Sequence, residues 1–336
     1  MLFKKNVDLT SLNTMAITSV ASNYCEAQDL EELKAAIKLA KEQNLAIHIL
    51  GGGSNVILPP VIPGLVVHMK IQGRKVKKVN DHVADFIIGA GENWHELVLF
   101  SLSKGYRGLE NLSLIPGTAG AAPIQNIGAY GVEVKDSLIE VNVLDVESLQ
   151  EITLHNEDLN FGYRSSLFKE TQGKYIVTSI TLRLDKEAEL KTNYGDLSNR
   201  LQGNVFDASD VSNAVIKARN SKLPDYRVIP NAGSFFKNPI VSAEKLKVLL
   251  IKFPNIVYYK SNNSMFKLAA GWLIQEAGWK GYSNESVGVN KNQALVLINH
   301  NQGCSLDVLN LANEIQESVT DKFSVNLEIE PVFFSD

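Results

Sequence analysis

After Asp29 the apolar positions recur at helical spacing. Leu30, Leu33, Ile37 and Ala40 fall on one face, and Asp29 with Glu32 three residues on supplies an N-terminal cap. Leu45 to Leu50 then reads as a buried strand running into Gly51-Gly52-Gly53, and Leu65 to Met69 as another. This opening is βαβ-like, with a glycine turn after the strand. From about Lys70 strands take over. They are expected at Asp85 to Ala90, Leu138 to Val146, Leu149 to Leu154 and Tyr175 to Leu184, the middle two forming a hairpin around Glu147-Ser148. One helix, Trp94 to Ser103, stops at Gly105. A more polar segment, Asp185 to Gly203, precedes a helix at Asp210 to Asn220 and a break at Leu223-Pro224-Asp225. Beyond that break we expect helices at Ser242 to Lys252, Leu268 to Ala277 and Leu306 to Val319. Strands are expected there at Ser234 to Lys237, Gln293 to Ile298 and Val325 to Phe334. Strands cluster instead of alternating strictly with helices, so the class is α+β, with the main boundary near residue 220.

The stretch Ser113 to Gly131, SLIPGTAGAAPIQNIGAYG, fits neither period. It holds four glycines, two prolines and no charged side chain. Glycine admits positive φ and lets a ligand lie against the backbone, and long loops without structure of their own usually serve a function. The stretch therefore offers peptide groups, with Thr118, Gln125, Asn126 and Tyr130, to a large polar ligand. Ile49 to Leu58, with its triple glycine followed by Ser54 and Asn55, reads as its partner. No G-x-G-x-x-G is present, so a doubly wound nicotinamide domain is not expected.

Composition narrows the class further. The chain has 336 residues, 45% hydrophobic and 21% charged, enough for two or three domains of an ordinary globular protein. A net charge of −4 with no long basic run gives no expectation of a nucleic-acid or membrane-surface partner. Two cysteines, Cys25 and Cys304, match no metal or redox spacing, and six scattered histidines form no zinc motif. The N-terminal residues lack an apolar signal region and no run is long enough to span a bilayer, so the expected location is cytoplasmic.

Three segments could carry chemistry. Phe161-Gly162-Tyr163-Arg164-Ser165-Ser166 sets an arginine among aromatics after a glycine, where a surface charge is the plain alternative. In Asn231-Ala232-Gly233-Ser234-Phe235-Phe236-Lys237-Asn238-Pro239, small residues lead a serine into an apolar strand. Strand alternation would put Ser234 and Phe236 on one face and Phe235 and Lys237 on the other. No G-x-S-x-G elbow surrounds Ser234, so its hydroxyl is either a proton donor or a turn cap. In Leu327-Glu328-Ile329-Glu330, two carboxylates fall on the same face of a strand. They are exposed edge charges, or proton donors with pKa values raised by apolar surroundings.

These segments, taken in order, resemble the UDP-N-acetylenolpyruvoylglucosamine reductase family. The matching motifs are GGGSN at 51–55, SLIPGTAGAAPIQNIGAYG at 113–131, FGYRSS at 161–166 and KLPD at 222–225. NAGSFFKNP at 231–239, KLAAGWLIQ at 267–275 and LEIE at 327–330 complete the set. The resemblance implies an FAD-binding fold of the vanillyl-alcohol-oxidase type in two subdomains, plus a C-terminal α+β substrate domain. It divides the chain into 1–70, 71–219 and 220–324, with the strand near 325–336 returning to the first part. It implies FAD contacts at Gly51, Gly52, Gly53, Ser54, Asn55, Pro116, Gly117, Thr118, Gly120, Ala121, Gln125, Asn126, Ile127, Gly128, Ala129 and Tyr130.

The family chemistry implied is reduction of UDP-N-acetylglucosamine enolpyruvate to UDP-N-acetylmuramate for peptidoglycan. NADPH reduces FAD and leaves, and hydride then passes to the enolpyruvyl methylene carbon. By resemblance Arg164 stabilises the developing charge, a protonated Glu330 assists it, and Ser234 returns a proton to carbon. Tyr194, Lys222, Asn238, Tyr259 and Gln293 match positions that hold the sugar nucleotide, with Lys222 near the diphosphate. Tyr194-Gly195-Asp196-Leu197 resembles the branch whose tyrosine-bearing loop covers the substrate. Pro331 and Phe334 stand where the family usually has valine and isoleucine, and Glu330 is chosen over Glu328 by the L-x-x-E spacing. The family also implies a monomer. The rival on the same fold, an FAD-dependent oxidase of small alcohols, would want a His or Cys for covalent flavin in the glycine loops, and neither loop has one.

Overall fold

The computed structural model describes residues 3–195, 197–201, 206–261 and 264–334. Asp196 of the tyrosine-bearing loop and Ser335-Asp336 at the end of the last predicted strand lie outside them.

The first part is a four-stranded sheet in the order Lys4–Asp8, Val20–Ala27, Val61–Met69, Ile47–Leu50. Its last three strands pair in parallel and its first antiparallel. Helix Leu30–Glu42 makes the crossover, buries Leu33, Ala36, Ile37 and Ala40, and begins where the Asp29 carboxylate accepts the Glu32 N–H at 2.8 Å. Alternation along Val61–Met69 sends its side chains into two cores. Leu65, Val67 and Met69 pack toward that helix, while Ile62 and Val66 join Leu9, Tyr24 and Leu50 on the other face.

A five-stranded antiparallel sheet follows, ordered Glu151–His155, Leu138–Asp145, Tyr175–Asp185, Val83–Gly89, Arg74–Lys78. It shares the first helix's core, with Trp94 and Leu97 of helix Trp94–Ser103 wedged between. Its edge strand Arg74–Lys78 is exposed along its length and carries four cations, which discourages edge-to-edge pairing.

The C-terminal part has its own core. Helices Ala243–Lys252, Ala270–Glu276 and Ser305–Phe323 pack on two three-stranded sheets. That core takes in Met15, Ile17 and Ile57 from the chain's beginning. The end of the chain returns the connection: Val332–Phe333 pairs in parallel with Val56–Ile57. No described helix is long and apolar enough to cross a membrane.

The α+β expectation matches this architecture, and the helix Trp94–Ser103 matches residue for residue. Several strands differ. The ladder near Ser234 is Asn231–Ser234 instead of Ser234 to Lys237, and it carries a register shift. Phe235 and Phe236 are consequently both buried, at 0% and 1% exposure, so simple alternation past Ser234 fails. The expected strand Val325 to Phe334 keeps only Val332–Phe333 in a ladder, with an isolated bridge from Ile329 to Phe236. Pro331 has no N–H to give a continuous ladder. Leu268 ends strand Met265–Leu268 and does not begin a helix. Within the long glycine stretch, Ala119–Ala121 and Pro123–Gln125 form short 3-10 turns.

On the face of the first sheet opposite helix Leu30–Glu42, His68 is buried, with its Nδ1 2.8 Å from the Tyr24 hydroxyl. Burial first, and then Lys70, hold its pKa down at about 4. The folded chain thus keeps His68 neutral where the unfolded chain would protonate it. The resulting stability is full above an unfolded pKa of about 6.5 and drains away as pH falls toward about 4. His68→Gln, which keeps a polar partner for Tyr24, is expected to shrink the fall in melting temperature between about pH 7 and about pH 5. An unchanged pH dependence would assign the acid sensitivity elsewhere.

Candidate functional site

Two glycine loops meet beyond the ends of the parallel strands. Gly53 has φ of +62°, and a Cβ there would lie 1.9 Å from the Leu12 carbonyl oxygen. A Cβ on Gly52 would stand 2.8 Å from the Gly117 Cα. The two backbones can touch only because both positions lack side chains. The carbonyls of Gly53 and Asn55 accept from Thr14 and Val332, but no described protein group takes the amides of Gly52, Gly53 or Ser54. Pro116 and Ala121 are exposed beside them.

Asn126 is buried at left-handed φ of 44°, and its side chain is occupied within the protein. Its Nδ2 donates to Glu133 Oε2 at 2.8 Å and to the Gly162 carbonyl at 3.1 Å, and its Oδ1 accepts from Lys135 N at 3.2 Å. Asn126 therefore ties the glycine stretch to the turn that bears Arg164. In that turn Gly162 and Ser165 exchange backbone hydrogen bonds and Arg164 sits at φ of 53°.

The turn points the guanidinium inward. Arg164 Nε donates to Glu330 Oε1 at 3.1 Å and Nη2 to the Gly128 carbonyl at 3.1 Å. The side chains are 19% and 10% exposed. Two effects compete on Glu330. Burial opposes its charged form, while Arg164, Lys169 and Lys237 favour it, and burial dominates, so the carboxyl lies above the ordinary carboxylate range. Glu328, two residues earlier, is 72% exposed and pairs with Lys237 at 2.7 Å. Glu328 and Glu330 are thus not equivalent, and the buried one is the one that meets the arginine.

The C-terminal part closes the other side. Glu330 N donates to the Phe235 carbonyl at 2.9 Å, which sets Ser234, exposed at its strand's end, on the chain segment beside Glu330. The Tyr163 hydroxyl accepts from Asn238 N at 3.3 Å, and its ring meets two cations, Arg164 at 5.3 Å and Lys267 at 4.3 Å. Asn238 Oδ1 accepts from Ala270 N at 2.9 Å, while Gln293 Oε1 faces Gly271 and accepts from Leu295 N at 3.2 Å. Both amides therefore stand at the start of helix Ala270–Glu276. Tyr194 stacks on Tyr259 at 6.3 Å and meets Tyr130 edge-on at 6.4 Å, with Tyr194 and Tyr259 each about half exposed. Lys222 is the last residue of helix Ala208–Lys222.

Tyr163, Lys169, Lys267 and Arg219 were missed as site residues from sequence alone. The first three lie in or beside quoted motifs, where a lysine after FGYRSS or in KLAAGWLIQ reads as a solvated charge. Arg219 lies on the helix preceding KLPD, and its Nε is buried with no hydrogen-bond partner among the described residues.

The family described as UDP-N-acetylenolpyruvoylglucosamine reductase, C-terminal domain, matches residues 224–334, and the one described as FAD binding domain matches residues 21–149. The chain is similar to the UDP-N-acetylenolpyruvoylglucosamine reductase of Chromobacterium violaceum, 45% identical over 337 residues and 98% of each chain. It is 44% identical over 328 residues to that of Polynucleobacter asymbioticus, covering 97% of this chain and 95% of the relative. A crystal structure of UDP-N-acetylenolpyruvylglucosamine reductase from Thermus caldophilus superposes with a TM-score of 0.71 at 24% identity, over 99% of this chain and 100% of that one. That last likeness concerns the fold.

Both glycine loops fall inside the FAD-binding match, and their chemistry fits such a group. Unused amides suit phosphate oxygens, and bare backbone suits a flat ring. The buried Arg219 Nε, close enough to feel Tyr130 and Arg164, suits an electron-rich acceptor. Gly52→Ala would force the loops apart. We expect the purified variant to lose most of its visible flavin absorbance and about 1–3 kcal/mol of stability in urea unfolding. Full flavin content would show that the loop contact is not part of the cofactor site.

Proposed function

The chain belongs to the UDP-N-acetylenolpyruvoylglucosamine reductase family, and we propose that Arg164, Glu330 and Ser234 carry its reaction. The reaction is the NADPH-dependent reduction of UDP-N-acetylglucosamine enolpyruvate to UDP-N-acetylmuramate, a peptidoglycan precursor. The observation that carries this assignment is the buried Arg164–Glu330 pair, held at 3.1 Å beside the glycine loops. When bound, FAD supplies hydride to the enolpyruvyl methylene carbon after NADPH has reduced it. Gly51 to Asn55 and Pro116 to Tyr130 would hold that cofactor, chiefly through backbone groups.

Hydride addition leaves negative charge on the neighbouring carbon and its carboxylate. The guanidinium of Arg164, fixed by Gly128 and Glu330 and shielded from water, meets that charge without reorganising. Glu330, whose pKa burial raises, donates a hydrogen bond to the same centre in its protonated form. Ser234 then gives its hydroxyl proton to the carbon, completing the addition of hydride and proton across the double bond, and, exposed as it is, recovers a proton from solvent. Asn238 and Gln293 at the start of helix Ala270–Glu276, Lys222 at the end of its helix, and the stacked Tyr194 and Tyr259 would hold the sugar nucleotide. The same reading divides the chain at about 70 and 220, and takes it as a cytoplasmic monomer whose partner is a UDP-sugar, with neither nucleic acid nor membrane.

Anaerobic absorbance separates the half-reactions. NADPH should bleach the bound flavin, and the enolpyruvyl substrate should restore its colour. Ser234→Ala is expected to bleach normally and to recolour about a hundredfold more slowly or worse. Arg164→Lys, which keeps charge but loses the planar fork, should recolour more slowly by a similar factor. Bleaching with no response to the substrate would discard the substrate assignment. Recolouring of Ser234→Ala at the normal rate would remove the serine from the chemistry.

A further inference from the structure

Three side chains outside the hydride path, Lys169, Gln125 and Asn55, lead to Glu330 in a chain whose donors and acceptors can be assigned. Lys169 Nζ lies 3.4 Å from Gln125 Oε1, and Asn55 Nδ2 lies 3.1 Å from the same atom. Asn55 Nδ2 also donates to the Glu330 carbonyl at 3.3 Å, an acceptor only, which fixes the orientation of the Asn55 amide. An ammonium and an amide nitrogen can both only donate, so the Gln125 atom between them must be its oxygen. The other end of Gln125, Nε2, is therefore aimed at Glu330 Oε1, 3.2 Å away. Arg164 Nε donates to that same oxygen at 3.1 Å.

Oε1 thus receives two N–H donors. A hydroxyl at that position would turn its own hydrogen against one of the two and keep acceptor capacity for the other at most. We propose that Gln125, oriented by Asn55 and Lys169, is a positioning residue that restricts the proton of Glu330 to Oε2 and so aims the acid. This inference rests on the assignment of Glu330 as the assisting acid. It gives the Gln125 side chain a task on the protein's own carboxyl, leaving its backbone to the glycine loop.

The charged groups facing Glu330 come from three segments packed on it. Arg164 is in the Gly162–Ser165 turn, Lys169 in helix Leu167–Glu170, and Lys237 follows strand Asn231–Ser234, with the Tyr163 phenol also within electrostatic reach. Glu328, on Glu330's own segment, is turned out to Lys237. Burial, followed by the repulsion of Lys237, holds the Lys169 pKa down, as expected for a cation packed into this network.

The test is the rate of flavin recolouring by the enolpyruvyl substrate, followed across pH in single turnovers of the flavin-loaded enzyme. In the unaltered enzyme that rate should fall as pH rises through the Glu330 pKa, and the falling limb should vanish in Glu330→Gln. Gln125→Leu removes a donor that favours the carboxylate. Its limb should move up by about one pH unit, and its low-pH plateau should drop about twofold, because equal access to both oxygens halves the productive population. Flavin content and bleaching by NADPH are measured on the same samples, so that limb and plateau are compared per bound, reduced flavin. Lys169→Met, which leaves the amide in place but removes one of its two orienting donors, should move the limb the same way by less, and Lys169→Arg should restore it.

A limb and plateau identical to the unaltered enzyme in both Gln125→Leu and Lys169→Met would overturn the proposal. So would a defect confined to flavin content or to bleaching, which would make Gln125 a cofactor contact only. Failure of the unaltered enzyme to recolour would instead strike the substrate assignment, before any variant is compared.

Discussion

The ladder between Val332–Phe333 and Val56–Ile57 is two residues long, yet it fixes where the Glu330 segment can stand. Val332 N reaches the Asn55 carbonyl at 2.9 Å, and Asn55 in turn donates to the Glu330 carbonyl across a sequence separation of 275 residues. The entropy of closing so long a loop grows only with the logarithm of its length, so a small interface suffices if other contacts share the load. They do. Thr14 and Met15 offer carbonyls to Asn231 N and Asn299 Nδ2, at 2.9 and 2.8 Å, and Met15 and Ile17 are buried in the C-terminal core. The two ends of the chain are stitched from opposite sides, and the glycine loops, Arg164 turn and Ser234 segment meet along that seam.

Along the seam the electrostatics favour function over stability. A buried ion pair rarely repays the desolvation of both partners, and here burial outweighs the attraction of three neighbouring cations on Glu330. The arrangement makes sense if the carboxyl is meant to be neutral while the guanidinium stays charged. An acid that can donate then stands beside a cation that can attract an anion. Exposed Glu328, paired with Lys237 at the rim, lacks that property although it shares the same short motif.

Much of this could be read from the sequence where local chemistry decides. The Asp29 cap, the Trp94–Ser103 helix and the hairpin of Leu138–Asp145 with Glu151–His155 all follow from capping residues, glycine and alternation. Prediction failed where pairing is non-local and brief. The ladder at Asn231–Ser234 has an irregular register and is followed by two buried phenylalanines, and no local pattern announces that both turn inward. The last strand is cut short at Pro331. In the site, Arg164 and Glu330 were legible as residues but not as a pair. Lys169 was invisible, because its importance comes from Gln125, forty-four positions earlier in the chain, and not from its own surroundings.

Arg164 occupies a left-handed backbone position, φ of 53°, that a side chain branching from an ordinary Cβ does not prefer. Holding a non-glycine residue there costs on the order of 1–3 kcal/mol, which the Gly162–Ser165 turn and the guanidinium's contacts must offset. Glycine or asparagine would sit there more comfortably. Backbone and side chain thus pull against each other at this one residue: a substitution that relieves the turn also gives up the hydrogen bonds to Glu330 and Gly128 and leaves a largely buried carboxyl without its cation.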